Sequence, residues 1–255
     1  MTNPFGYSSN VQLPTKDIVG GYILPESDIY DATIKQVYIK KTDSGAVGFH
    51  INATVKDVER KFVLYPAIAK KDANGVPLRN PDNSIQVTNT RVQRDRTEVY
   101  LDAFLIADSL ARIVFGKPLA HLSTDVMYIE EKDKQTKQPV QVQVAGYKDF
   151  TGKEVKLVLQ RSVKNKQAKN ERTGKWENTN EKTQEIELVK ILRKEDSLTI
   201  NEIDAGATAA AYAEEWLKTW KGKDKNNYKP VAGAVDVGGS TSSQVSAEDN
   251  PFGNV

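Results

Sequence analysis

The chain has no cysteine and only two histidines, His50 and His121, among 255 residues. Without cysteine there is no disulfide, zinc–thiolate site or thiol nucleophile, and two imidazoles leave little for metal centres or catalytic triads. Long apolar runs are missing as well. No stretch approaches the ~20 residues that a membrane-spanning helix needs, and Met1 to Asn10 has neither a basic head nor an apolar segment of the secretory kind. These absences predict a soluble, intracellular protein. Phosphate-cradling loops fail on one position: Gly-Lys occurs at Gly116, Gly152, Gly174 and Gly222, but the residues five before are Ala111, Tyr147, Lys169 and Leu217, where such a loop needs glycine.

Charge is abundant but nearly balanced, with 36 Lys and Arg against 34 Asp and Glu for a net +2. Hydrophobic residues make up 38% of the chain, enough for one main core with polar appendages. Three regions follow: a flexible arm over 1–24, a folded domain over 25–223, and a disordered linker with an acidic tail over 224–255. Ile29 to Lys41 reads as a strand with Tyr30, Ala32, Ile34 and Tyr38 on one face and Val37 and Ile39 on the other. Val47 to Val55 alternates with a period of two, and Arg60 to Tyr65 supplies a third strand. Turn residues such as Asn74-Gly75 and Asn80-Pro81 make 66–89 a surface excursion. The apolar spacing then becomes helical between Glu98 and Phe115, until Gly116 and Pro118 stop it.

Strand-like pieces follow near Val126 to Glu130 and Val140 to Ala145, and then two long strands, Val155 to Val163 and Gln184 to Arg193. The polar Lys164 to Thr183 joins that pair as a long basic hairpin. Thr199-Ile200-Asn201-Glu202 is a capping box, and a C-terminal helix runs to Gly222, with Gly206 as an early break. The chain is therefore expected to be mostly β with helices (α+β). The element order makes 25–223 an OB-fold-like domain, an antiparallel barrel with one helix between strands 3 and 4, the basic hairpin between strands 4 and 5, and a C-terminal helix. A generic α+β sheet is the alternative.

The strongest chemical signal is charge density. Lys153, Lys156, Arg161, Lys164, Lys166, Lys169, Arg172 and Lys175 stand against Glu154 and Glu171, a local +6. Such a run attracts phosphates and releases counterions, and Trp176 beside it offers an indole on which a base can stack. The same residues also fit a solvated loop with Trp176 folded inward. Lys40, Lys41, Arg60 and Lys61, with Tyr38 and Tyr65, extend a groove at the ends of the first and third strands. Tyr212, Trp216 and Trp220 recur every fourth residue as a packing stripe. A nuclease could be assembled from Asp82 and Glu130-Glu131-Lys132 with Mg²⁺, and a virion or protein-binding module is a third option. No catalytic residue, metal or cofactor is assigned.

Several short segments resemble the bacteriophage-encoded single-stranded DNA-binding proteins. They are Ile29 to Ile34, Lys41 to Ala46, Phe115-Gly116-Lys117-Pro118-Leu119-Ala120, Gly152 to Leu159 and Trp216 to Lys223, distributed over most of 29–223. The resemblance implies an OB-fold that coats single-stranded DNA during phage replication and recombination in the host cytoplasm, without enzymatic activity. The tail is similar to the flexible, acidic tails of such proteins, with Glu248, Asp249, Pro251 and Phe252 matching the part that recruits phage or host replication and recombination proteins. Here Gly253-Asn254-Val255 follow Phe252, so the aromatic is not terminal, and Asn3-Pro4-Phe5-Gly6 repeats the tail's Asn250 to Gly253.

Overall fold

The computed structural model describes residues 24–231, apart from 43–45, 73, 75, 83–84, 94–95, 134, 170–173 and 175. The N-terminal arm up to residue 23, Arg172, Lys175 and the tail residues Glu248, Asp249, Pro251 and Phe252 lie outside the described residues. The elements are β1 (Asp28–Lys41), β2 (Val47–Val55), β3 (Val58–Leu64), the short β4 (Ile68–Ala69), β5 (Val87–Thr88), β6 (Thr90–Val92) and β7 (Glu98–Tyr100), and then α1 (Asp102–Phe115). There follow β8 (Asp125–Lys132), β9 (Pro139–Gly146), β10 (Glu154–Lys169), β11 (Trp176–Leu192), α2 (Ile200–Asp204), α3 (Ala211–Trp220) and β12 (Lys225–Asn226). The protein is mostly β, and its main sheet runs β11-β10-β1-β2-β3, antiparallel throughout that path.

β1 organises this sheet. Its N-terminal half pairs with β10 from Asp28 to Thr33, its C-terminal half pairs with β9 at Tyr38 and Ile39, and β2 runs along the other edge. The register with β2 slips between Ile34 and Gln36. One extra residue in a strand reverses which face the following side chains take. Tyr38 is accordingly not on the face of Tyr30, Ala32 and Ile34, as strict alternation predicts; Val37 joins them in the main core instead. Tyr38 lies on the opposite face, buried beneath Ile129 and Val144 of the β8–β9 hairpin.

The β2–β3 connection is a two-residue turn with φ +48° at Lys56 and +62° at Asp57. Positive φ at both positions is the form that matches the twist of a tight hairpin. α1 presents Ile106, Ala107, Leu110 and Ala111 to the inner face, where Ile34, Phe49, Ile51, Phe150, Leu157 and Leu159 complete the core. Gly116 ends the helix in the left-handed region, donating its N–H to the Arg112 carbonyl at 2.9 Å. The helix begins at Asp102 rather than Glu98, because Glu98 to Tyr100 pairs with β6.

α1 touches both β3 and β11. These two edge strands do not pair with each other among the described residues. They line a common cleft formed by Leu24, Arg60, Lys61, Phe62, Gln184, Glu185 and Ile186. The sheet therefore curls around the core but stays open at this seam. On its outer face, Trp216 and Ala213 of α3 pack on Val158 and Leu192, with Tyr212 and Trp220 beside them, which places the aromatic stripe in packing. The capping box forms as expected: the Thr199 hydroxyl accepts from the Glu202 N–H at 3.2 Å, and the Glu202 carboxylate accepts from the Thr199 N–H at 2.8 Å.

Candidate nucleic-acid interface

The basic hairpin is a continuation of β10 and β11 rather than a loop between them. Pairing persists to Lys169 opposite Trp176, well past the strand ends at Val163 and Gln184 that hydrophobic patterning gives. The alternation is of polar residues on both faces, so hydropathy carries no strand signal there. The return strand also alters the electrostatics. Lys164 pairs with Glu185 and Lys166 with Glu181 at 2.6 Å, while Arg161 pairs with Asp224 of the segment that follows α3. Over 153–192 ten basic residues meet six acidic ones, a net +4 in place of the +6 counted over 153–175. The two lysine pairs are half-exposed and of modest energy, so they lower the local potential more than they stabilise the fold.

The cations then fall into separate groups. Lys156 donates to the Ser197 hydroxyl at 2.7 Å and is committed to the body. Lys153 lies exposed just before β10, and Lys169 lies exposed near the far end of the projecting arm. Among the described residues no carboxylate bridges to either. Trp176 is 67% exposed, so it does not fold inward to pack between the strands.

At the other end of the sheet, Arg60 is 8% exposed and lies at the seam between β3 and β11, beside Glu185, which Lys164 holds. Lys61 is exposed on the neighbouring register position and lines two clefts, this seam and a second one with Glu130, Glu131 and Lys132. Arg60, Lys61 and Lys164 are thus brought together around the base of the hairpin. Tyr38 is not available to a ligand: its ring stacks on His50 with centroids 4.6 Å apart, and Glu131 of β8 pairs with Lys40 above it. Burial, then the Tyr38-side neighbour Lys40, lowers the His50 pKa below its ordinary value, while Glu131 opposes the shift. Lys41 and Tyr65 are exposed.

Three features of this surface escape sequence reasoning. Tyr128 is exposed on β8 with its neighbours Met127 and Ile129 turned toward Tyr38, a placement that period-two alternation within β8 would have marked. Tyr100 stacks on Phe104 at 5.1 Å, across the junction between β7 and α1. Residues 224–231, expected to begin the disordered linker, instead run along the base of the arm, where β12 adds a short parallel ladder to β10. No signal in the polar stretch Asp224 to Lys229 marks that docking.

Among the described residues there is no group of three or more His, Asp or Glu side chains placed to hold a metal ion. Asp82 lies in the surface excursion, and Glu130 and Glu131 lie on β8, where Glu131 is occupied by Lys40. No helix among them is long and apolar enough to cross a membrane. No family model, no curated protein and no solved structure matches the chain.

Proposed function

We propose that this is a non-enzymatic single-stranded DNA-binding protein built on an open OB-like barrel. The observation that carries the reading is Trp176, an indole two-thirds exposed near the end of a projecting strand pair, directly opposite Lys169. A large aromatic left in water gives up the burial energy that would normally fold it inward, and a base stacked on it is worth about 1–3 kcal/mol whatever the sequence. The strand path supports the barrel reading. Curling β11-β10-β1-β2-β3 until its two edges share one cleft, with a helix inserted after the third strand and touching both edges, is the connectivity of that fold with its last seam unpaired.

On this reading the strand passes from the seam, where Arg60, Lys61 and Lys164 gather, along the arm to Lys169 and Trp176. The role in phage DNA replication and recombination, the host cytoplasm as its setting, and recruitment of partner proteins by Glu248, Asp249, Pro251 and Phe252 extend the same proposal, and they rest on the sequence resemblance. Titrating a labelled oligo(dT) by fluorescence anisotropy at several salt concentrations tests it. Binding that favours the single strand over the duplex and weakens with salt is expected. Equal affinity for both, or affinity indifferent to salt, would reject it.

A further inference from the structure

The β10–β11 ladder breaks register within the projecting arm. Asn165 faces Lys182, whereas Gln167 faces Asn178, so two steps on β10 are matched by four on β11. An irregularity of this kind bends a strand pair and re-aims whatever lies beyond it. Here the bend is fastened from outside. The buried Asn165 side chain donates through Nδ2 to the carbonyls of Thr179 at 2.8 Å and Lys229 at 2.7 Å, and its Oδ1 accepts from the Lys229 N–H at 2.9 Å. On the opposing strand Asn180 accepts the Val231 N–H through Oδ1 at 2.8 Å, and its carbonyl accepts from the Tyr228 hydroxyl at 3.3 Å. Across the bend the Thr179 hydroxyl donates to the Lys166 carbonyl at 2.9 Å. Lys182 holds its Nζ 4.9 Å from the centre of the Tyr228 ring.

Two asparagines, one on each strand, therefore clasp the same outside segment at the point where the ladder is irregular. An isolated pair of strands is marginal in water, and a bend in one would ordinarily be its loosest point. An amide is the side chain that serves here because it offers donors and an acceptor from one planar group, and Asn165 uses both. We infer that Asn165, Asn180 and Tyr228 are positioning residues, an elbow that fixes the direction of the distal arm bearing Lys169 and Trp176. The purpose of that direction rests on the single-stranded DNA reading; the elbow itself does not.

The lack of cysteine permits a direct test. Glu177→Cys on the distal arm and Glu214→Cys on α3, both exposed, accept spin labels with no competing thiol. The full-length protein should give one narrow label-to-label distance distribution. Asn165→Asp, which keeps the shape but loses both donors, should broaden or shift it, as should Asn180→Ala, which serves if the buried Asn165 variant fails to fold. Affinity for oligo(dT), read on the neutral Asn180→Ala variant because Asn165→Asp adds a negative charge of its own, should fall roughly fivefold or more, the low end for a lost stacking contact, and its salt slope should shrink because Lys169 loses its phosphate together with the stacking of Trp176. An unchanged distribution in the folded variants would overturn the inference; a broadened one with unchanged oligo(dT) affinity would uphold the elbow and reject its purpose in DNA binding. If the unmodified protein does not bind oligo(dT), the DNA reading fails and the distance distributions alone decide on the elbow.

Discussion

Tyr38 and His50 stack nearly parallel, with 12° between their ring planes, under a hairpin that Lys40 and Glu131 tie down. Burial is the main reason that the His50 pKa is lowered, with Lys40 and then Lys61 adding repulsion and Glu131 partly offsetting both. A lowered folded-state value means that the neutral imidazole is the form the fold prefers. The resulting stability is present above the unfolded value of about 6.5 and is lost as pH falls through the folded pKa. Thermal unfolding followed between pH 7.5 and 5 should therefore show a loss that His50→Gln flattens. An NMR titration of His50 with its midpoint at or above 6.5 would contradict this.

Much of the scaffold is legible in the residues. The alternation of β2, the helical spacing of α1, the Thr199–Glu202 box and the Trp216 stripe each express one local rule, and each appears where that rule puts it. What escapes is set by partners distant in sequence. The slip after Ile34 moves Tyr38 to the opposite face, and only a second strand reveals it. The carboxylates that answer Lys164 and Lys166 come from the return strand, so a charge count that stops at Lys175 overstates the field. The polar arm has no hydropathy signal, because both of its faces meet water, and its clasp by Asn165 and Asn180 arises from tertiary contact alone.

Trp176→Ala isolates stacking from folding. The side chain is largely in water, so its removal should alter stability by no more than about 0.5 kcal/mol, as for other surface substitutions. Oligo(dT) binding should weaken by about 1–3 kcal/mol if a base stacks there. Anisotropy titration together with thermal unfolding measures both, and equal affinities would remove the indole from the interface.

Lysines in the arm should differ in their electrostatic worth. Lys169 meets no carboxylate among the described residues, whereas Lys166 is held by Glu181 at 2.6 Å. Neutralising a cation that contacts phosphate reduces the slope of log affinity against log salt by about 0.7 for a single strand. Lys169→Ala should show close to that change, and Lys166→Ala distinctly less, because Glu181 already cancels part of its charge. Equal changes from both would mean that the ion pair opens on binding.

The β8–β9 hairpin has a narrow tolerance at Gly146, which pairs with Asp125 on one side and Tyr38 on the other. A Cβ placed there would lie 1.9 Å from Met127 Sδ, 2.6 Å from its Cγ and 3.0 Å from its Cβ. The first two atoms can swing away, but the third is fixed by the backbone and must give by a few tenths of an ångström, so Gly146→Ala strains the pairing of β8 with β9. Overpacking of this kind costs about 1–3 kcal/mol. Met127→Ala removes the two mobile obstacles and leaves the third, so the double variant should recover part of the loss. Because the hairpin covers Tyr38, the single variant should also bring the Tyr38 and His50 rings into faster solvent exchange. A Gly146→Ala protein with unaltered stability and an unaltered His50 titration would show that the hairpin absorbs the methyl without loosening over this face.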